Sequence, residues 1–170
     1  MGKKSIKENK NIYQTSREDL GLTRDAAEEL LAGISADRIE RIESGKCTPY
    51  PDEILQLSTA YKVPNLCNYY CSHECPIGQQ QVPEIQMKEL SQIVLEMIAS
   101  LNAMEKEKER LIEITVDGRI TEDEYHDFAV IQTELEKISQ SVDSLQLWIE
   151  KMILEGKVNR DTLNEVKSTL

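Results

Sequence analysis

Residues 22–46, LTRDAAEELLAGISADRIERIESGK, constrain the fold of this chain more than any other stretch. They read as two short helices joined by a tight Ala-Gly-Ile turn. Thr23 and Ser35 are placed to cap them, because a side-chain oxygen there accepts from an amide that has no partner inside the helix. Gly33 suits the turn and Gly45 the end of the second helix, since a positive φ is cheap only for glycine. Two helices meeting steeply through a short Gly-containing turn form the layout that lays a helix into the major groove of DNA.

The surroundings of this stretch are helical too. Leu, Ile, Glu and Lys dominate a chain with only seven Gly and five Pro, and aromatics make up 5%, so the expected fold class is all-α with an aliphatic core. A first helix is predicted over residues 12–20, with Ile12, Tyr13 and Leu20 on its apolar side. In the second, Ala26, Ala27, Leu30 and Leu31 give the packing face. Pro49 and Pro51 lead into a fourth helix over 52–61 that buries Ile54, Leu55, Leu57 and Ala60. A short fifth helix follows over 66–71.

The polar, proline-bracketed run CPIGQQQVP then marks a linker. Beyond it Leu90, Val94, Met97, Leu101, Met104 and Leu111 recur at steps of three and four, interrupted by Lys108. Phe128, Ile131, Leu135, Ile138, Val142, Leu145, Ile149 and Met152 keep the same rhythm unbroken. That is a coiled-coil seam in two long helices. Thr121 with Glu124 forms a capping box that starts the second of them. The organisation is therefore a basic flexible arm (1–10), a five-helix domain (11–76), a linker (77–83), an antiparallel helical hairpin (84–155, from helices 84–114 and 121–155), and a tail or short helix (156–170). Such a hairpin leaves apolar surface bare, which predicts a homodimer through 84–155 or packing on the N-terminal domain.

Net charge is −11, unevenly placed. Residues 1–76 carry 10 basic and 12 acidic side chains; the remainder carries 10 and 19, so most of the acidity lies in the second half. The first ten residues hold Lys3, Lys4, Lys7 and Lys10 against Glu8 alone, a composition able to track a phosphate backbone or simply to keep the chain soluble. No apolar run is long enough to span a bilayer, and the Lys-rich start is followed by no apolar stretch, so a cytoplasmic protein without a membrane partner is expected. No nucleophile–base set or Gly-rich phosphate loop is present, and an enzyme is not expected.

With five short helices placed, residues 11–71 resemble the Cro/CI-type (XRE-like) helix-turn-helix family of transcriptional regulators. The resemblance rests on Arg17, Leu22-Thr23, Ala27, Gly33-Ile34-Ser35, Ile39, the run Arg41-Ile42-Glu43-Ser44-Gly45-Lys46, Pro49 and Tyr61-Lys62-Val63. It implies a lambda-repressor-like domain that binds double-stranded DNA sequence-specifically, and an internal ion pair between Arg17 and Glu43. The DNA-facing residues it implies are Arg24, Ser35, Ala36, Asp37, Arg38, Glu40, Arg41 and Lys46. The chain departs from the family at Arg24, where a Gln is usual, in a second helix about one residue longer, and in acidic residues on the third helix. Arg24 can still reach a phosphate. Arg38 can make the bidentate contact to guanine, and Asp37 can accept from cytosine. The same features fit an alternative: a protein-interaction module that keeps the fold without binding DNA. The charge on the exposed Arg24/Arg38/Arg41 side separates the two readings.

Cys67, Cys71 and Cys75 recur every four residues, with His73 among them and Cys47 upstream. A metal site would use the three thiols with Cys47 or His73 as fourth ligand, zinc fitting best and an iron–sulfur centre less well. It needs the helix to end between Cys67 and Cys75, which would otherwise stand about 12 Å apart along a straight helix. Free thiols explain the pattern equally.

Overall fold

The computed structural model describes residues 10–116 and 118–169, and every described element is helical. The helices are α1 (Ile12–Asp19), α2 (Arg24–Glu28), α3 (Ala36–Glu43), α4 (Pro51–Tyr61), α5 (Asn65–His73), α6 (Gly78–Gln81), α7 (Leu90–Thr115), α8 (Tyr125–Leu154) and α9 (Arg160–Ser168). A single 3₁₀ turn, Glu122–Glu124, precedes α8. No described helix is long and apolar enough to cross a membrane. The chain forms two compact units, one holding the described residues up to Glu84 and from Glu150, the other Ile85–Ile149. Residues 1–9 of the expected basic arm lie outside the described residues; Lys10 is spent on Glu18 at 2.6 Å.

Capping defines the short helices of the first unit. Asn11, Thr23 and Ser35 each accept from the amide three residues on, at Gln14, Ala26 and Arg38. The Asn11 amide also donates to the Ile42 carbonyl at 2.9 Å, tying the start of α1 to α3. Gly33 and Gly45 take φ of 81° and 72°, as the turn and the helix end require. Ala27, Leu31, Ile34, Ile39, Ile42 and Leu66 share one buried cluster with Tyr13, Ile54, Leu57 and Tyr61.

Several expectations change here. Leu30 is exposed because α2 stops at Glu28 and the following residues turn, leaving Leu31 to fill the core. Leu20 lies past the end of α1 and is exposed, and Leu55 faces outward from α4. The 77–83 linker is not structureless. It holds α6, whose Gly78 lies directly against the backbone of Cys71, so that a Cβ there would overlap the Cys71 carbonyl oxygen. The boundary between units accordingly falls after Glu84, α7 begins at Leu90 rather than 84, and residues 150–155 go with the first unit.

In the second unit the buried residues of the long helices depart from the expected seam. On α7 the buried residues are Ile93, Ser100 and Ile114, while Val94 and Leu101 are exposed. On α8 they are Ile131, Ser141 and Ser144, while Leu135 and Val142 are exposed. One expected line is kept in each helix, through Met97, Met104 and Leu111 and through Ile131, Ile138 and Leu145. The other shifts by one residue, to 93/100/107/114 and 127/134/141. Arg110 joins the two helices through Asp127 at 2.6 Å. The polar, small or charged residues on the covered lines hid them from a hydrophobicity pattern.

Gly78→Ala is expected to destabilise the first unit by about 1–3 kcal/mol, the range for overpacking against a contact that cannot yield. Chemical denaturation of the full chain reads this as a lower midpoint at an unchanged slope.

Candidate nucleic-acid interface

The buried side of α3 is held by two guanidinium–carboxylate systems. Glu43 accepts from Arg17 Nε at 2.5 Å and Nη2 at 2.9 Å, and from Arg24 Nε at 2.9 Å. Arg17 Nη1 donates to the Leu22 carbonyl. The Glu43 side chain is 1% exposed and that of Arg17 7%, so the pair is held in the interior. Arg17 is driven further toward its charged form, chiefly by the hydrogen bond to Glu43 and against the opposing effect of burial. Tyr61 is pushed up to about 12 by burial and then by the Glu43 charge. This network joins α1, the entry to α2 and the last turn of α3.

Arg38 forms the second system. Its Nε and Nη2 donate to the two Glu53 oxygens at 2.8 and 2.7 Å, Nη1 to Cys47 Sγ at 2.9 Å, and Nη2 also to the Thr48 carbonyl at 3.3 Å. The Tyr50 ring lies 4.9 Å from the guanidinium carbon. Glu53 in turn accepts from the Tyr50 amide at the start of α4. The hydrogen bond from Arg38 holds the Glu53 carboxyl below its ordinary value of 4.5, although burial works the other way. Four of the five guanidinium N–H groups are thus engaged. The sequence placed Arg38 on guanine; here it fastens α3 to α4, and it pairs with neither Asp37 nor Glu40.

The remaining expected residues separate by what they already bind. Ser35 and Ala36 serve the start of α3, Ser35 as its cap and the Ala36 amide as donor to Glu28 at 2.9 Å. Glu40 accepts from Lys46 at 3.0 Å in an exposed pair worth little. Arg24 is half exposed with its Nε on Glu43. Asp37 and Arg41 are exposed, one turn apart on the outer side of α3, and among the described residues neither side chain has a hydrogen-bond or ion-pair partner. Exposed Asp25 and Glu29 lie on the neighbouring α2. The stretch from Arg24 to Lys46 holds four basic and six acidic side chains.

The cysteines do not gather into a metal site. Among the described residues no group of three or more His, Cys, Asp or Glu side chains is arranged to hold a metal ion. Helix α5 ends at His73, between Cys67 and Cys75 as a metal site would need, and Cys75 follows just beyond it. Burial, with Cys75 and Cys67 nearby, pushes the Cys71 thiol up. Cys75 Sγ faces the Gly78 amide at 3.5 Å, and His73 stacks on Tyr69 with ring centroids 4.3 Å apart. Cys47 belongs to the Arg38 system. Among the described residues the expected set Cys67, Cys71, Cys75 with Cys47 or His73 forms no zinc or iron–sulfur arrangement, and the four thiols are free.

Sequence reasoning missed Glu53 and Glu28. Glu53 carried a signal: it stands three residues after Tyr50 and two after Pro51, where a carboxylate caps a helix start. Its pairing with Arg38, fifteen residues away, had none. Comparison of the chain with family models, with curated proteins and with solved structures found no match.

Because the Glu53 carboxyl is lower in the folded protein, its contribution is present above the ordinary carboxylate value and is lost as pH falls through the folded one. Glu53→Gln should therefore lower stability at neutral pH and flatten its loss below pH 4.5, measured by thermal unfolding across pH 2.5–7. Glu43→Gln leaves Arg17 buried with a neutral partner. It is expected to lower stability by about 3 kcal/mol, at the low end for breaking a buried pair because the amide oxygen still accepts.

Proposed function

We propose that residues 11–76 are a helix-turn-helix domain of the Cro/CI type that binds double-stranded DNA sequence-specifically, and that the chain regulates transcription in the cytoplasm. Helix α3 enters the major groove. Arg41 is the principal base-reading group, bidentate to guanine, and Asp37 accepts from cytosine N4. Lys46 and Arg24 position the domain on phosphates. Helices α7 and α8 form an antiparallel hairpin that dimerises the chain or receives a signal, placing two reading helices one DNA turn apart.

One observation carries this reading. Helix α3 is clamped on its inner side by Glu43 and Arg38, while Asp37 and Arg41 stand exposed and unpartnered among the described residues. An exposed arginine without a side-chain partner, on a helix held from its inner side, is available to a base edge. The predominance of carboxylates on α2 and α3 favours a second reading, in which the same face binds a basic protein surface.

Selection from random duplexes, followed by gel shift at two salt concentrations, separates these readings. Binding to an enriched sequence that weakens with salt supports DNA recognition. Failure to enrich any sequence, with no salt dependence, overturns it in favour of the protein partner. Arg41→Ala should cost about 1–3 kcal/mol of affinity for the selected site and relax its preference for G·C there. Arg38→Ala should instead lower the melting temperature.

A further inference from the structure

The one-residue shift in the long helices leaves each with a second apolar line outside the covered one. On α7, Val94, Ile98 and Leu101 are between 41% and 50% exposed; on α8, Leu135 and Val142 are 46% and 40% exposed. Within the covered register, Val94 and Leu101 occupy the same heptad position as Leu135 and Val142. In an antiparallel hairpin, equivalent flanking positions of the two helices lie on the same side of the seam. The opposite flank is mostly polar, with Glu96 and Arg110 around Ala103 on α7 and Lys137 after Val130 on α8, and its Ser144 is buried. The bare apolar side is therefore one stripe made by both helices.

We propose that a second copy of this chain covers this stripe, face to face, as a four-helix dimer. The inference rests on the hairpin proposed above and adds which face is used. Two features of the stripe select its occupant. Val94 and Leu101, like Leu135 and Val142, stand seven positions apart, and such a spacing stays on one side of a helix only against another supercoiled helix. A two-fold axis sets the stripe against itself, so each line meets an equally spaced one. The area agrees. Five large side chains about half exposed leave on the order of 400 Å² of apolar surface. A standard interface of about 800 Å² per partner is roughly 60% apolar, and the stripe supplies most of that share. Lys108, paired with Glu105 at 3.5 Å, ends the stripe on α7.

Sedimentation equilibrium of the full chain tests this alongside far-ultraviolet circular dichroism. The wild type should be a dimer at micromolar concentration. Leu101→Glu and Val142→Glu, made separately, should each raise the dimer dissociation constant at least about 100-fold with helicity unchanged. A monomeric wild type overturns the proposal, and so do variants that remain dimeric. Variants that lose helicity also overturn it, because the altered residues then belong to the internal seam. Ile131→Glu, on the covered line, should lose helicity; if it keeps helicity and dissociates the dimer, the hairpin reading fails and the stripe with it. DNA selection on the wild type is read separately. A dimer without DNA selectivity keeps the stripe and rejects DNA recognition, and a monomer with selectivity does the reverse.

Discussion

The first unit depends on one buried ion pair. Arg17 comes from α1 and Glu43 from the last turn of α3, and Arg24 adds a further donor from the start of α2. Removing two charges from water is expensive, and their attraction compensates only where the geometry is good and the remaining donors are satisfied. Here the guanidinium meets both carboxylate oxygens and a backbone carbonyl. An apolar pair of the same volume would pack three helices together; this pair also fixes their register, since a small slip would strand a charge in the interior.

That constraint decides which side of α3 is free. With Ile39, Ile42 and Glu43 turned in, Asp37 and Arg41 must turn out. Arg38 lies at the border, and Glu53 draws it inward. Of the basic side chains from Arg24 to Lys46, three are tied to carboxylates, and Arg41 has no partner among the described residues. Any recognition by this helix passes through few groups, so one substitution should carry a large share of the specificity.

The long helices show why periodicity leaves a choice open. A line of Val, Leu and Ile at steps of three and four predicts a helix with an apolar side, but Leu90, Val94, Met97 and Leu101 sit beside Ile93, Met97 and Ser100. Both lines pass through the same methionine. Hydrophobicity favours the first. Burial accepts serine at the second, because a hydroxyl bonded back to the preceding turn, as in Ser141 and Ser144, is satisfied within its own helix. The cysteines show the same gap. Spacing placed three thiols in one region but could not say which way each would turn.

The caps and glycine turns of the short helices are legible in the sequence, whereas the stop of α2 at Glu28 and the helix α6 are not. Asn11, Thr23, Ser35, Gly33 and Gly45 act on the amides and φ angles of their own neighbours, and such local effects are readable along a chain. It also carried the matching of Arg17 to Glu43, through resemblance to a known pattern. What Arg38 binds, which residues of each long helix are buried, and that Cys47 joins Arg38 became visible in the folded chain alone. Each depends on groups far apart in sequence, where direction in space, and not spacing, sets the partner.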